Sequence, residues 1–349
     1  MKTVSRPLKL TLLFFFLFYS SIFFTAKAQY TSSFQVVWWN VENLFDCEHD
    51  SLKNDYEFLP QSIRHWTSYR VNKKIQQINQ SVVEIRKWNP PVLIGLCEVE
   101  NDNVLTHLTK YSALKNLQYS YVMTHSDDLR GIDVALLYQR DQFKLISQEE
   151  VVTPSYNHKP TRNILHATGI LLSLDTLDVF LCHLPSQIGG KIATIHRSMV
   201  TAILKEQIDA VMTQRNHSNL LVMGDFNSDL SSPIFTEILG INNPNDTPIK
   251  ENQIYHLFYD VAKQKGVGSY KYKGFWQLID HILISGRLLN PQSALHTSAT
   301  KAKIIELPSL LEEDLKYGGQ KPYRTYYGMK YQAGVSDHLP LYVEFELNW

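Results

Sequence analysis

A layered α/β sandwich, with helices outside and mixed sheets within, is the fold class this sequence predicts, and three observations lead to it. Short runs rich in Val, Ile, Leu and aromatic residues recur along the chain, and two long amphipathic segments interrupt them. The Asp175-Thr176 step between two apolar runs reads as a hairpin turn, which requires antiparallel pairing. No repeat, low-complexity tract or Pro/Gly/Ser-rich linker divides the chain, so a single domain over residues 29–349 is expected. The 44% hydrophobic content is enough to furnish its core.

Taken in order, the first 28 residues read as a secretory signal peptide. Lys2, Arg6 and Lys9 precede an apolar run over 10–24, which leads to the small-residue site Ala26-Lys27-Ala28. The run is shorter than the roughly 20 residues a membrane-spanning helix needs. Cleavage after Ala28 is expected, giving a protein that is exported, periplasmic or extracellular, and not stably inserted in a membrane. Strands are expected over 34–39, 92–96, 119–123, 132–138, 165–174, 177–182, 219–223, 278–284 and 339–347. One helix carries Ile75, Ile78, Val82 and Ile85 at spacings of three and four and stops at Asn89-Pro90-Pro91. A second, over 192–215, offers Ile195, Met199, Ile203 and Ile208 as one buried stripe, and a third, shorter helix begins near Asn101 or Asp102.

Signal cleavage removes four cations (Lys2, Arg6, Lys9, Lys27) and no acid, taking the basic count from 34 to 30 against 34 acidic residues. A chain that grips long nucleic acid by counterion release usually carries a basic excess, so tight non-specific DNA binding is not expected. Cys47, Cys97 and Cys182 are odd in number, which argues against a disulfide framework. Cys97 and Cys182 each precede the polar end of an apolar run, and strand alternation should turn them into the core.

The chemistry is written at the ends of apolar runs. Trp39-Asn40, Cys97-Glu98, Cys182-His183, Gly224-Asp225-Phe226-Asn227, Ile279-Asp280-His281 and Ser336-Asp337-His338 each place a carboxylate, carboxamide or imidazole at the rim of a buried strand. Such placement costs desolvation, which a cation or hydrogen-bond partner must offset. Each has a plainer reading alone: Asn40 as a turn former, Glu98 as a helix cap, His183 as a satisfied structural histidine, Asp225-Phe226-Asn227 as a turn. Asp280 inside an apolar strand is harder to explain away, because an unpaired buried aspartate is expensive. His281 should face the other way and serve structure. Six such rims together suggest one pocket.

Trp39-Asn40-Val41-Glu42-Asn43, Cys97-Glu98-Val99-Glu100-Asn101, His183-Leu184-Pro185-Ser186, Gly224-Asp225-Phe226-Asn227, Ile279-Asp280-His281-Ile282-Leu283 and Ser336-Asp337-His338-Leu339-Pro340, in this order, resemble the endonuclease/exonuclease/phosphatase superfamily. Pancreatic-type deoxyribonucleases, AP endonucleases, neutral sphingomyelinases and inositol polyphosphate 5-phosphatases belong to it, and the match covers nearly the whole mature chain. The resemblance implies a four-layer α/β/β/α sandwich with two mixed, mainly antiparallel sheets and a site at one edge of both. It implies Mg²⁺, with Mn²⁺ as a substitute, held by Glu98 with Asn40 and Asp337. Hard oxygen donors suit that ion. Asp225 would align or deprotonate the attacking water, Asn227 would donate to a phosphoryl oxygen, and His338, oriented by Asp280, would act as acid/base or cation. His183 matches the second catalytic histidine of secreted deoxyribonucleases and sphingomyelinases, with Asp127 or Asp128 the nearest acidic partner. Arg130 and Arg162 could fork onto phosphate or form surface salt bridges.

Substrate choice lies in loops. The segment 307–334 interleaves basic and aromatic residues, Arg324 among them, just before Asp337; it either stacks on rings and touches phosphate or packs its tyrosines on the surface. A monomeric phosphodiester hydrolase, an endonuclease acting on nucleic acid, is the leading expectation. A lipid or small-molecule phosphoesterase is the alternative, and a catalytically silent binding module the third reading.

Overall fold

Strand β1 (Thr31–Leu44) runs parallel to β2 (Leu93–Val99), and β7 (Thr176–His183) runs parallel to β8 (Asn219–Asp225); every other pairing in the two large sheets is antiparallel. Parallel neighbours need a crossover. Helix α1 (Ser68–Ile85) supplies the first and α3 (Gly190–Gln214) the second. The computed structural model describes residues 30–85 and 89–349, with Thr31–Trp349 as the folded unit; the expected signal segment lies outside the described residues.

Sheet one has the order β13 (Leu295–His296), β19 (Leu341–Asn348), β1, β2, β4 (Asp133–Gln139), β3 (Tyr119–Met123), and β14 (Ala302–Ile304) also pairs with β19. Sheet two has the order β5 (Phe143–Val151), β6 (Ile164–Leu171), β7, β8, β12 (Asp280–Ser285), β9 (Ile254–His256). Three hairpins stand outside the sheets: β10 (Tyr270–Tyr272) with β11 (Phe275–Gln277), β15 (Leu311–Glu313) with β16 (Gln320–Pro322), and β17 (Tyr326–Tyr327) with β18 (Lys330–Tyr331).

Alternation along the strands assigns the layers. On β1, Val36 and Trp38 enter a core between the sheets with Leu181, Met223 and Val343. Val37 and Trp39 point the other way, into a core shared with Ile75 and Ile78 of α1 and Leu105 of α2 (Asp102–Lys110). On sheet two, Phe180 and Val222 pack under α3 against Val200 and Leu204. Three cores separate four layers, helices on both outer faces, as the resemblance implied.

The α3 stripe differs from the expected one. Its buried positions include Ala193, His196, Arg197, Val200, Leu204, Ile208 and Val211, whereas Ile195 is 37% exposed and Met199 and Ile203 are only partly buried. Two polar anchors set the phase: His196 hydrogen-bonds the Pro154 carbonyl and Arg197 donates to the carbonyls of Pro185 and Ser186. Strand β5 was not expected, because Phe143-Lys144-Leu145-Ile146-Ser147-Gln148-Glu149-Glu150-Val151 forms a sheet edge with five of its nine residues exposed and carries little apolar signal. Cys97 and Cys182 are fully buried as free thiols.

Gly95 of β2 marks where the sheets press closest: a Cβ there would lie 2.8 Å from the Trp38 ring, 3.0 Å from Leu181 and 3.2 Å from Met223. Gly95→Ala should therefore lower unfolding free energy by about 1–3 kcal/mol, the cost of overpacking a filled core. Urea denaturation measures this, and an unchanged midpoint would show that the inter-sheet core has room to spare.

Candidate active site

Parallel pairing sends the C-terminal ends of β1 and β2, and of β7 and β8, to one edge of each sheet. Asn40, Glu98, His183 and Asp225 sit at those ends. Asp280 opens the antiparallel strand β12 directly opposite Asp225, and His183 pairs with Asp225 from the other side. The Ser336-Asp337-His338 turn precedes β19, which returns beside β1 with Leu341 against Trp38. The sheet edges thus meet at one place.

Asn40 joins the two sheets there. Its Nδ2 donates to Asp225 Oδ2 at 3.0 Å and approaches Glu98 Oε1 at 3.4 Å, while its Oδ1 accepts the Glu42 N–H at 2.9 Å. Glu98 adopts φ +62° where β2 bulges between Cys97 and Val99, and its Oε2 accepts the Asn43 N–H at 2.9 Å. The strained backbone turns the carboxylate out of the strand and into the cleft. Asp225, 2% exposed, also accepts the Asn227 N–H at 2.8 Å. Burial, reinforced by Asp280, pushes its carboxyl up to about 7, against the opposing pull of His338 and of its hydrogen-bond donors. Asn227, at φ +47°, donates its carboxamide N–H to the Leu184 carbonyl at 3.0 Å.

Asp280 and His338 form a buried carboxylate–imidazole pair, with Nδ1 to Oδ2 at 2.6 Å. Asp280 also accepts from Trp38 Nε1 at 2.9 Å and from Ser269 Oγ at 2.6 Å. Burial alone would lower the His338 pKa, but Asp280, Asp225 and Asp337 outweigh it and raise the imidazole to about 10. Its Nε2 faces the cleft, 3.9 Å from both Asp225 Oδ2 and Asp337 Oδ1. His183 brings Nε2 to 3.7 Å from Asp225 Oδ2, and burial, with Arg162, Arg130 and His338 nearby, holds it well below the usual histidine range. One imidazole is therefore cationic and the other neutral near pH 7.

Neither expected acidic partner reaches His183, whose buried Nδ1 has no hydrogen-bond partner. Asp128 instead accepts from Arg162 Nη1 at 3.2 Å, and Asp127 is exposed. Arg162 is buried and spends Nε on the His183 carbonyl at 3.1 Å and Nη2 on the Leu184 carbonyl at 2.6 Å, so it braces the His183-Leu184 backbone from behind. Arg130 is exposed and near enough to His183 to depress its pKa. Arg324 spans Asp337 Oδ2 at 2.8 Å and Glu42 Oε1 at 3.2 Å.

Several side chains that brace the candidate site are not marked by the sequence pattern. Behind Arg324, the Lys74 ammonium is buried and donates to the Glu42 carbonyl and Thr325 Oγ1, both at 2.5 Å, and to the Val335 carbonyl at 2.8 Å. Burial lowers Lys74 to about 8 and raises Glu42 to about 7. Lys74 lies on the apolar stripe of α1 with Val71, Ile75 and Ile78, the one signal that could have marked it. Trp39 Nε1 donates to the His338 carbonyl at 2.9 Å, and Ser336 Oγ donates to the Asn40 carbonyl at 2.6 Å.

Asp225, Asp280 and His338 offer ligand atoms within 4.8 Å of one another, an acidic and imidazole group able to hold a metal ion. Asp280, however, already takes three protein donors, which commits it to His338. Glu98 and Asp225 both meet the Asn40 carboxamide and Asp337 lies 3.9 Å from His338 Nε2, so the carboxylates around the pair are hard oxygen groups of the kind a small divalent cation takes.

In the metal-free protein His338 should remain an imidazolium at pH 8 and lose its proton only as pH rises toward 10. Asp280→Asn should return it toward the ordinary range. Histidine ring shifts followed by NMR across pH report this directly, and a wild-type ring already neutral at pH 8 would refute the charge assignment.

Residues 35–347 match the model of the Endonuclease/Exonuclease/phosphatase family. No curated protein matches the chain. Among solved structures, D. rerio TDP2 complexed with single strand DNA product is similar with TM-score 0.54 at 15% identity, covering 90% of this chain and 99% of that one. The human Nocturnin catalytic domain with bound sulfate anion gives 0.54 at 15%, covering 91% and 97%. The Bacteroides thetaiotaomicron mannosyl-6-phosphatase gives 0.54 at 14%, covering 89% and 99%. Likeness at these identities concerns the fold, and the family match over nearly the whole folded unit makes the chain a member of the endonuclease/exonuclease/phosphatase family of hydrolases acting on phosphoester bonds.

Proposed function

We propose that this protein is an exported, magnesium-dependent phosphodiesterase that cuts nucleic acid internally. The observation that carries the reading is the Asp280–His338 pair aimed at Asp225, with Asn40, Glu98 and His183 around it at one edge of both sheets. Magnesium supplies polarisation of the phosphate when bound, and Glu98, Asn40 and Asp337 are the residues that would hold it, with Mn²⁺ able to replace it. Asp225, fixed by the Asn227 N–H and the Asn40 carboxamide, aligns the attacking water and takes its proton. Water oxygen bonds to phosphorus in line as the leaving oxygen departs, and His338 Nε2 hands that oxygen a proton. Asn227, through its remaining N–H, and His183 steady the phosphoryl oxygens, and the exposed Arg130 meets a substrate phosphate. No covalent enzyme intermediate is needed.

Export rests on residues 1–28; the recovered protein should begin at Gln29 by N-terminal sequencing. A lipid or sugar phosphoesterase is the second reading, because structures of the same fold include a mannosyl-6-phosphatase beside a TDP2 bound to DNA product. Plasmid DNA, RNA, sphingomyelin and mannose 6-phosphate, each with magnesium and with EDTA, separate the two. Metal-dependent nicking of plasmid is expected, with His338→Ala and Asp225→Asn each slowing it roughly 10²- to 10⁴-fold. Turnover of lipid or sugar phosphate without nicking would replace the nuclease reading.

A further inference from the structure

Beside His338 opens a cavity of about 630 Å³ that the three hairpins outside the sheets build together, with Arg324 and Asp337 at its inner end. Its size lies within the roughly 300–1,000 Å³ of small-molecule sites. Its wall residue Tyr270 adjoins the candidate site, bridging to His338 in the backbone and holding its ring centroid 4.9 Å from the imidazole.

The walls are braced. Lys271 of β10 donates to the Gly318 and Gln320 carbonyls at 2.9 and 3.1 Å and pairs with Asp314 at 3.0 Å, locking the first hairpin to the second. Asp314 in turn accepts the N–H groups of Lys316 and Tyr317. Gly274, at φ +88°, lies so close to Tyr317 that a Cβ there would come within 2.9 Å of it. The turn therefore presents Tyr317 in one place.

The walls carry acids as well as bases, but Lys271, Lys321 and Arg324 are paired with Asp314, Glu312 and Asp337, which leaves Lys273 and Lys316 beside the exposed rings. Tyr326 of the same segment is packed away at 3% exposure, but Tyr272 and Tyr317 keep 50% and 48% of their surface in the open. A lysine lies near each exposed ring, Lys273 Nζ 5.2 Å from the Tyr272 centroid and Lys316 Nζ 5.0 Å from that of Tyr317. Flat rings flanked by ammonium groups, next to a centre that cleaves phosphodiesters, match a ligand that is itself a planar ring joined to phosphate.

We propose that this cavity takes the nucleoside adjoining the cleaved phosphate, its base against Tyr272 and Tyr317 and its next phosphate near Lys273 and Lys316. The proposal rests on the nuclease reading and narrows it: the substrate strand must present an unpaired base at the cut, so single strands and frayed segments are preferred over duplex. Recognition by stacking tolerates any base, because every base has a π face.

The test compares a short single-stranded oligonucleotide with one carrying abasic tetrahydrofuran residues around the cut, and bis-p-nitrophenyl phosphate is assayed alongside. Wild-type protein should favour the base-bearing strand in kcat/KM by roughly 5- to 150-fold, the span expected of one stacked base. Tyr272→Ala and Tyr317→Ala should each erode that preference, Tyr317→Phe should keep it, and Tyr111→Ala at the distant end of α2 should leave it untouched. An oligonucleotide with 2-aminopurine at the cut, bound in EDTA, should be quenched by wild-type protein and not by Tyr317→Ala, a readout independent of turnover. Equal cleavage of both strands by wild-type protein, or a preference that survives in the alanine variants, overturns the cavity assignment while leaving the nuclease reading in place. Hydrolysis of the nitrophenyl diester with neither strand cut overturns both.

Discussion

Two carboxylates buried side by side dictate how the rest of this molecule is arranged. Asp225 and Asp280 face each other across β8 and β12 in register, at 2% and 0% exposure, where like charges repel and water is scarce. The fold answers with donors gathered from distant parts of the chain: an imidazolium from residue 338, an indole N–H from residue 38, a hydroxyl from residue 269 and a carboxamide from residue 40. Trp38 and Trp39 alternate across β1, so one indole reaches the inter-sheet core to hold Asp280 while the other reaches the helix side to hold the His338 carbonyl. A single strand thereby fixes both halves of the acid–base pair. Glu98 and Asp337 are the carboxylates whose charge a divalent ion would neutralise.

Much of this was legible in sequence because it is local. The rim residues end apolar runs, and a run that stops on Asn40, Glu98, His183 or Asp225 announces both a strand terminus and a group too polar to bury without purpose. Asp280 stood out for the same reason. The helix carrying Ile75, Ile78 and Val82 and the antiparallel pairing of β6 with β7 followed from spacing and turn chemistry, although the turn lies over 172–175 and Thr176 already belongs to β7. The long-range partners were not legible. Nothing near Arg162 says that its guanidinium will support the His183 carbonyl, or that Asp128 will pair with it rather than with the imidazole. The α3 stripe was misphased because His196 and Arg197, polar in composition, face inward to reach carbonyls on another segment. Periodicity assumes that apolar residues choose the buried face, and here hydrogen bonds chose it.

The cluster of Glu42, Lys74, Arg324 and Asp337 shows a second use of buried charge. Lys74 is 1% exposed yet satisfied by two carbonyls and a hydroxyl, and it ties α1 to the loop that carries Arg324 and to the segment leading into Ser336-Asp337-His338. The outer helix layer is thus wired to the reacting centre through a lysine that touches no substrate group. Arg324 then balances Asp337 from the cavity side, joining cavity and acid cluster through one guanidinium.

The pairing of β1 with β19 couples the first strand of the folded unit to the last, with Thr31 against Asn348. Contacts of such sequence separation form late, because the loop between them must close first. His338 belongs to the turn that feeds β19, so the Asp280–His338 pair depends on the docking of the C-terminal strand. A chain cut short by even its final strand holds Glu98, His183 and Asp225 in sheets that lack their closing edge. Topology thereby ties the buried Asp280–His338 pair to the strand that closes the first sheet.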